Sequence, residues 1–143
     1  MGGVGSGRSS VRSLVEHSLT LDLRLMMSRH WIKDGQQGTF KLRFSQSGEI
    51  IRLFYDLRDP YQSSLDLNYK QSLAGGFEPE VAQHIPLTFT VPHFGGRRWW
   101  MICDGRRVAK IYMPLSGDSF GTREAWGLVY RSQRESAPKF LAT

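Results

Sequence analysis

The chain has 143 residues, of which 40% are hydrophobic and 12% aromatic, enough to bury a core and too many for a disordered protein. There are 19 Lys and Arg against 13 Asp and Glu, so the net charge is +6. No apolar run reaches the roughly 18–20 residues of a membrane span, and one cysteine, Cys103, excludes an intramolecular disulfide and a multi-thiolate metal site. We expect a cytoplasmic protein with no signal peptide, no membrane contact and no cofactor.

Positive charge is concentrated towards the two ends of the chain. Residues 1–33 carry five basic and two acidic side chains, residues 34–90 carry five and seven, and residues 91–143 carry nine and four. If the two ends meet in the fold, they form one basic face. Such a face attracts the phosphates of a nucleic acid or an acidic protein surface.

The first residues are rich in Gly, Ser and Arg, which predicts a flexible arm over residues 1–12. The rest, 13–143, is expected to form a single compact domain, with a helix and antiparallel strands over 13–91 and a second unit over 92–143. The arm has the spacing of a phosphate-binding loop, with Arg in place of Lys. That motif requires a strand before it, so we do not infer an NTPase.

Residues 18–32 begin with alternation and then favour a helix, with Thr20 or Asp22 as its cap and Asp34-Gly35 as its end. The residues expected to face or anchor the core here are Leu21, Leu25, Trp31 and Ile32.

Short alternating segments then predict an antiparallel sheet. They comprise a hairpin over 39–55 with a Ser47-Gly48 turn, a strand over 61–70, a strand over 84–91 that Pro86 places at an edge, and a second hairpin of strands 97–102 and 106–113 around Cys103-Asp104-Gly105. Residues 123–134 predict a short helix with Thr122 as its N-cap. The expected class is α+β, mainly antiparallel β, with short helices packed on the sheet.

The stretch FGGRRWW, the Cys103 turn and the later GLVYRSQ resemble a group of small bacterial proteins, mostly uncharacterised, that are associated with mobile elements and phages. These proteins often begin MGGxGSGR, as this chain does. The resemblance covers residues 94–135 and the first eight. It implies a zinc-ribbon-like C-terminal half that carries one C-x-x-C pair after the FGGxRWW strand and a second pair inside F-x-C-R-x-C.

This sequence departs from that pattern where the metal would lie. Cys103 matches the first ligand, but Asp104 replaces the second, and Thr122 and Ala125 replace the other two. Because a structural zinc site needs four ligands, we expect a degenerate, metal-free ribbon-like unit. Apolar packing is then expected to replace the metal. The candidates for that packing are Trp99, Ile111, Phe120 and Trp126.

Basic and aromatic residues alternate in the second predicted hairpin. Alternate residues of a strand share a face, so Arg97 and Trp99 should face one way and Arg98 and Trp100 the other. Arginine binds phosphate in a bidentate manner, and tryptophan beside it is typical of single-stranded nucleic-acid binding. The candidate nucleic-acid-binding residues are Arg97, Arg98, Trp99, Trp100, Arg106, Arg107, Lys110, Arg123 and Arg131. One alternative is that this hairpin contacts another protein. The other is that both tryptophans are buried on the two faces of a covered hairpin and the arginines are only solvated.

No residue spacing indicates catalysis, so we predict that the protein is not an enzyme. Cys103 is interpreted as a remnant ligand rather than a nucleophile, and the spread acidic residues Asp56, Asp59 and Asp66 as a solvated edge. Two functions remain. One is a nucleic-acid-binding accessory protein of a mobile element or phage. The other is a protein-binding inhibitor, such as an anti-defence factor that acts on a host nucleoprotein complex.

Overall fold

The computed structural model describes residues 18–44, 48–71, 74–114 and 117–128. The chain divides into two units, one formed by residues 21–110 and the other by the segments on either side. The predicted arm over 1–12 lies outside the described residues. The single compact domain expected over 13–143 stays a prediction.

The unit of residues 21–110 is built on a six-stranded antiparallel sheet in which neighbouring strands are consecutive along the chain. The strands are β2 (Gln37–Arg43), β3 (Ile50–Asp56), β4 (Ser64–Lys70), β5 (Glu80–Thr90), β6 (Arg98–Cys103) and β7 (Arg106–Val108). The expected class, mainly antiparallel β with short helices, is confirmed.

The core follows from the alternation of apolar and polar residues. In β3, β4, β5 and β6 the odd-numbered residues lie opposite one another and share the apolar face, as Leu53 and Leu67 do. They are buried throughout β3 and β4, and in β5 and β6 the buried ones are Ile85, Leu87, Trp99 and Met101. The even-numbered residues, among them Arg52 and Asp66, face the other side of the sheet. Burying one face stabilises the register, because a slip by one residue would expose the whole apolar set.

The strand β5 is longer than the predicted 84–91, and it changes partner along its length. Residues 80–86 pair with β4 and residues 87–90 with β6. Pro86 lies at this change. The next residue, Leu87, donates its N–H to the Ser63 carbonyl on the β4 side. Because successive backbone nitrogens of a strand point to opposite sides, the Pro86 nitrogen, which carries no hydrogen, points away from β4. On that side the described residues give Pro86 no strand partner. The expectation that Pro86 places this strand at an edge is wrong, because β5 lies between β4 and β6 in the sheet.

The second hairpin forms as predicted over its first half. Asp104 (φ 52°) and Gly105 (φ 73°) both have positive φ, the requirement of the tight turn that Asp-Gly favours. The predicted single return strand over 106–113 is wrong. It is divided at Ala109 into β7 and β8 (Lys110–Met113), which belong to different sheets.

The predicted helix over 18–32 is also wrong in its extent. Residues 19–22 form strand β1 (Leu19–Asp22), and helix α1 (Leu23–Ser28) follows. Asp22 caps it by accepting a hydrogen bond from the Leu25 N–H, and His30, at φ 62°, ends the helical backbone. Because Leu21 lies in a strand, helical periodicity did not apply to it. Leu21 and Ile32 are buried as expected, whereas Leu25 and Trp31 are 41% and 37% exposed.

Strands β1 and β8 form a separate two-stranded sheet, and helix α2 (Arg123–Trp126) belongs to the other unit. Tyr112 and Gly121 exchange two backbone hydrogen bonds. Thr122 caps α2, as predicted, through a 3.0 Å bond from the Ala125 N–H. The helix does not continue to residue 134 as one element, because Gly127 adopts φ 67° and closes it by donating to two carbonyls of its last turn. No helix in the described ranges is long and apolar enough to cross a membrane.

Candidate nucleic-acid interface

The two faces of the β6–β7 hairpin separate the predicted site residues into two groups. Arg107 lies opposite Ile102 and therefore shares a face with Arg98 and Trp100. Arg106 lies opposite Cys103, on the register of the Trp99 face. The prediction that Trp99 and Trp100 face opposite ways is confirmed, because Trp99 is 2% exposed while Trp100 is half-buried with different partners.

The Trp99 face is held by one carboxylate. Asp34, in the loop before β2, accepts a 3.1 Å hydrogen bond from the Trp99 indole N–H and bonds of 3.0 and 3.1 Å from the Arg97 guanidinium. Burial alone would raise the pKa of Asp34, but the hydrogen bonds from Arg97 and Trp99 and the charge of Arg97 together hold it below its ordinary value. Arg97 is thus neutralised, and the indole N–H of a buried side chain is satisfied.

Aromatic packing extends this anchored group. The ring of Phe89 lies 5.3 Å from that of Trp99 and 5.5 Å from that of Tyr61, and the Arg97 guanidinium lies over it at 5.6 Å. These distances are typical of favourable tilted aromatic pairs. In this arrangement the Trp99 ring presents no open face to a base, so Trp99 and Arg97 stabilise the hairpin.

The Trp100 face has a different character. Three guanidinium carbons lie over the Trp100 ring, those of Arg24 at 4.5 Å, Arg98 at 5.2 Å and Arg107 at 5.8 Å from its centroid. The indole N–H donates to the Thr90 hydroxyl on the neighbouring strand at 3.0 Å. We call Arg24, Arg98, Trp100 and Arg107 the arginine cluster. Each cation gains from the quadrupole of the ring, while the three like charges repel one another.

Arg24 is the member that the sequence analysis did not identify. It comes from α1, 74 positions before Arg98 along the chain. Its Nε and Nη2 atoms are buried and have no hydrogen-bond partner among the described residues. Burial lowers the pKa of Arg24 and repulsion from Arg98 lowers it further, and the charge of Asp22 only partly compensates. The burial of the Arg24 guanidinium and its repulsion from Arg98 are both unfavourable, and a bound anion would reduce both costs.

The remaining predicted residues divide between the two units. Arg106 and Lys110 are exposed, in the same unit as the arginine cluster. Arg123 belongs to the other unit, where its guanidinium lies 3.8 Å from the Glu124 carboxylate. Arg131 lies outside the described residues.

Cys103 lies at the turn of the hairpin and is partly buried. Burial, followed by the charge of Asp104 and a hydrogen bond to it, raises the pKa of its thiol to about 11, so the thiolate is scarce at neutral pH. Among the described residues, no group of three or more His, Cys, Asp and Glu side chains is placed to hold a metal ion. The shift in the pKa of Cys103 is thus opposite to that of a reactive thiol.

Comparisons with protein-family models, with curated proteins and with solved structures find no match to this chain. We therefore infer the function from the arginine cluster itself.

The Asp34 contact leads to a stability prediction. Asp34→Ala should lower the free energy of unfolding at pH 7 by about 1–2 kcal/mol, because a buried indole N–H loses its acceptor. Asp34→Asn, which keeps an oxygen, should lose less. Urea denaturation followed by circular dichroism measures both.

The contribution of Asp34 to the free energy of unfolding should depend on pH. Since the folded pKa of Asp34 is lowered, its contribution is present above the unfolded value of about 3.9 and is lost as the pH falls through the folded pKa. The difference between the parent and Asp34→Asn should therefore shrink towards pH 3. Asp66→Asn, which removes the carboxylate from an exposed pair with His84, is the control and should have little effect. An equal loss in Asp34→Asn and Asp66→Asn at pH 7 would contradict the anchoring role.

The arginine cluster predicts that removing the Arg24 guanidinium stabilises the folded protein. Arg24→Met keeps the apolar stem but removes two buried nitrogen atoms that have no hydrogen-bond partner among the described residues, and it removes the repulsion from Arg98. We expect the free energy of unfolding to rise by about 1 kcal/mol, since these gains exceed the lost cation–π contact. Arg29→Met, at an exposed guanidinium 5.6 Å from Trp31, is the matched control and should not stabilise the protein. A marked loss of stability in Arg24→Met would show that Arg24 is a structural residue.

Proposed function

We propose that this protein is a small, basic, non-catalytic nucleic-acid-binding protein, and that the arginine cluster is its contact surface. The observation that carries the proposal is the convergence of Arg24, Arg98 and Arg107 on the single ring of Trp100. Pairing of like charges on one face is unfavourable in the free protein. Natural sequences tolerate such local conflicts mainly at functional sites.

The chemistry of the cluster fits phosphate. Guanidinium groups are planar, remain charged at neutral pH and offer forked N–H donors that match phosphate oxygens. Arg98 and Arg107 are exposed and lie on adjacent, hydrogen-bonded strands of one hairpin, so the register of the ladder sets the spacing of their backbones. The net charge of +6 adds a long-range attraction for polyanions.

The resemblance noted from the sequence refines the proposal. We propose that the protein serves a mobile element or phage as an accessory factor, and that residues 92–143 are a degenerate zinc-ribbon-like unit. Its support is local. Where the related pattern has its two cysteine pairs, this chain has a tight Asp104-Gly105 turn and a hydrogen bond from the Ala125 N–H to the Thr122 hydroxyl.

Fluorescence anisotropy of labelled oligonucleotides, titrated with the full chain between about 50 and 200 mM salt, tests the proposal. We expect micromolar or tighter affinity at the low-salt end. The double variant Arg98→Glu/Arg107→Glu should lose at least about tenfold in affinity, and its salt slope should fall by about one for each arginine removed.

The control variant carries the same change of charge elsewhere. Lys41→Glu/Arg43→Glu reverses two exposed cations on β2, the strand at the opposite end of the sheet order from β7. It should retain most of the affinity. Equal losses in the two double variants would mean that only net charge matters, and no binding at 50 mM salt would contradict the proposal.

A second candidate, a protein-binding inhibitor or anti-defence factor, is favoured by a different observation. Phe94, in the loop between β5 and β6, is 90% exposed, and Tyr61 is 83% exposed. Protein interfaces concentrate their binding energy in such aromatic residues. Capture of a defined host nucleoprotein complex, lost on Phe94→Ala but retained in Arg98→Glu/Arg107→Glu, would select this function over nucleic-acid binding.

A further inference from the structure

We infer, on the basis of the proposed function, that the arginine cluster binds the sugar–phosphate backbone of a nucleic acid and that Trp100 holds its arginines in place without stacking on a base. Tryptophan beside arginine often stacks on bases in single-stranded nucleic-acid-binding proteins, and the role inferred here for Trp100 differs from that pattern.

The position of Arg24 argues against base stacking. A base stacked on an indole lies flat against its face, at about the separation at which Arg24 already lies, 4.5 Å from the ring centroid. Arg98 and Arg107 lie within 6 Å of the same centroid. A base could reach that face of the ring only by displacing Arg24. The Arg24 guanidinium would then lose its contact with the Trp100 ring while the repulsion from Arg98 remained.

The indole is also fixed in its plane. Its N–H donates to the Thr90 hydroxyl at 3.0 Å, and Thr90 lies directly opposite Arg98 in the β5–β6 ladder. Turning the ring outwards to receive a base would break this hydrogen bond, and the indole N–H would then need water as its acceptor. Trp99 is not a substitute, because it is 2% exposed and bonded to Asp34.

The same contacts prepare the arginines for phosphate. A guanidinium stacked on an aromatic ring loses little further side-chain freedom when it forms hydrogen bonds through its edge. An incoming phosphate supplies negative charge where three positive charges meet, which relieves the repulsion at Arg24. Phosphate contacts carry no information about base identity. The site is therefore expected to bind different sequences with similar affinity.

Anisotropy with three labelled 16-nucleotide strands tests this inference: oligo-dT, oligo-dA, and a strand of the same length made of abasic tetrahydrofuran residues, all with the full chain at one salt concentration. We expect the abasic strand to bind within about threefold of the other two. Base stacking contributes about 1–3 kcal/mol per base, so a stacking site would lose about tenfold or more on the abasic strand.

Substitution of Trp100 separates the two roles. Trp100→Leu should weaken the abasic strand and oligo-dT by the same factor, because it loosens the arginines, and Trp100→Phe should restore most of the affinity. A tenfold preference for oligo-dT in the parent that disappears in Trp100→Leu would overturn the inference while leaving nucleic-acid binding intact. Failure of all three strands to bind would instead overturn the proposed function, and this inference with it.

Discussion

The structure depends most on one carboxylate, Asp34, which accepts hydrogen bonds from both the Trp99 indole and the Arg97 guanidinium. The contact joins the loop before β2 to the start of β6, 65 positions apart along the chain. Since successive residues of a strand point to opposite faces, fixing Trp99 on the core side fixes Trp100 on the other side. A contact made for packing on one face of the hairpin thereby determines where the arginine cluster forms on the opposite face.

The two faces have opposite energetics. On the Trp99 side the Asp34 carboxylate accepts hydrogen bonds from the Arg97 guanidinium and the Trp99 indole, and Arg97 also lies over the Phe89 ring. On the Trp100 side three cations share one ring, and two N–H groups of Arg24 are buried without a partner among the described residues. Packing gives a direct reason for the first arrangement. The second is intelligible if an anion completes it, which is the physical basis of the proposed function.

Much of the sheet could be predicted from the sequence, because alternation, the Asp-Gly turn and the caps at Asp22 and Thr122 are local signals. Helix lengths were overestimated where a positive φ, at His30 or Gly127, ends the backbone earlier than the apolar pattern suggests. At the site, Arg98, Trp100 and Arg107 could be predicted because they lie on one hairpin. Arg24 and the role of Asp34 could not, since both depend on contacts between residues more than 60 positions apart, and no related structure was found to supply them.

The most direct test follows the four tryptophan indole N–H signals by two-dimensional NMR during titration with a short oligonucleotide, with each signal assigned from its Trp→Phe variant. We predict that the Trp100 signal shifts in a saturable way, together with the Nε–H signals of Arg24, Arg98 and Arg107. The Trp99 signal should not shift, because its indole N–H remains hydrogen-bonded to Asp34. Shifts centred on Trp99, or saturable binding that leaves the Trp100 signal unchanged, would contradict this prediction.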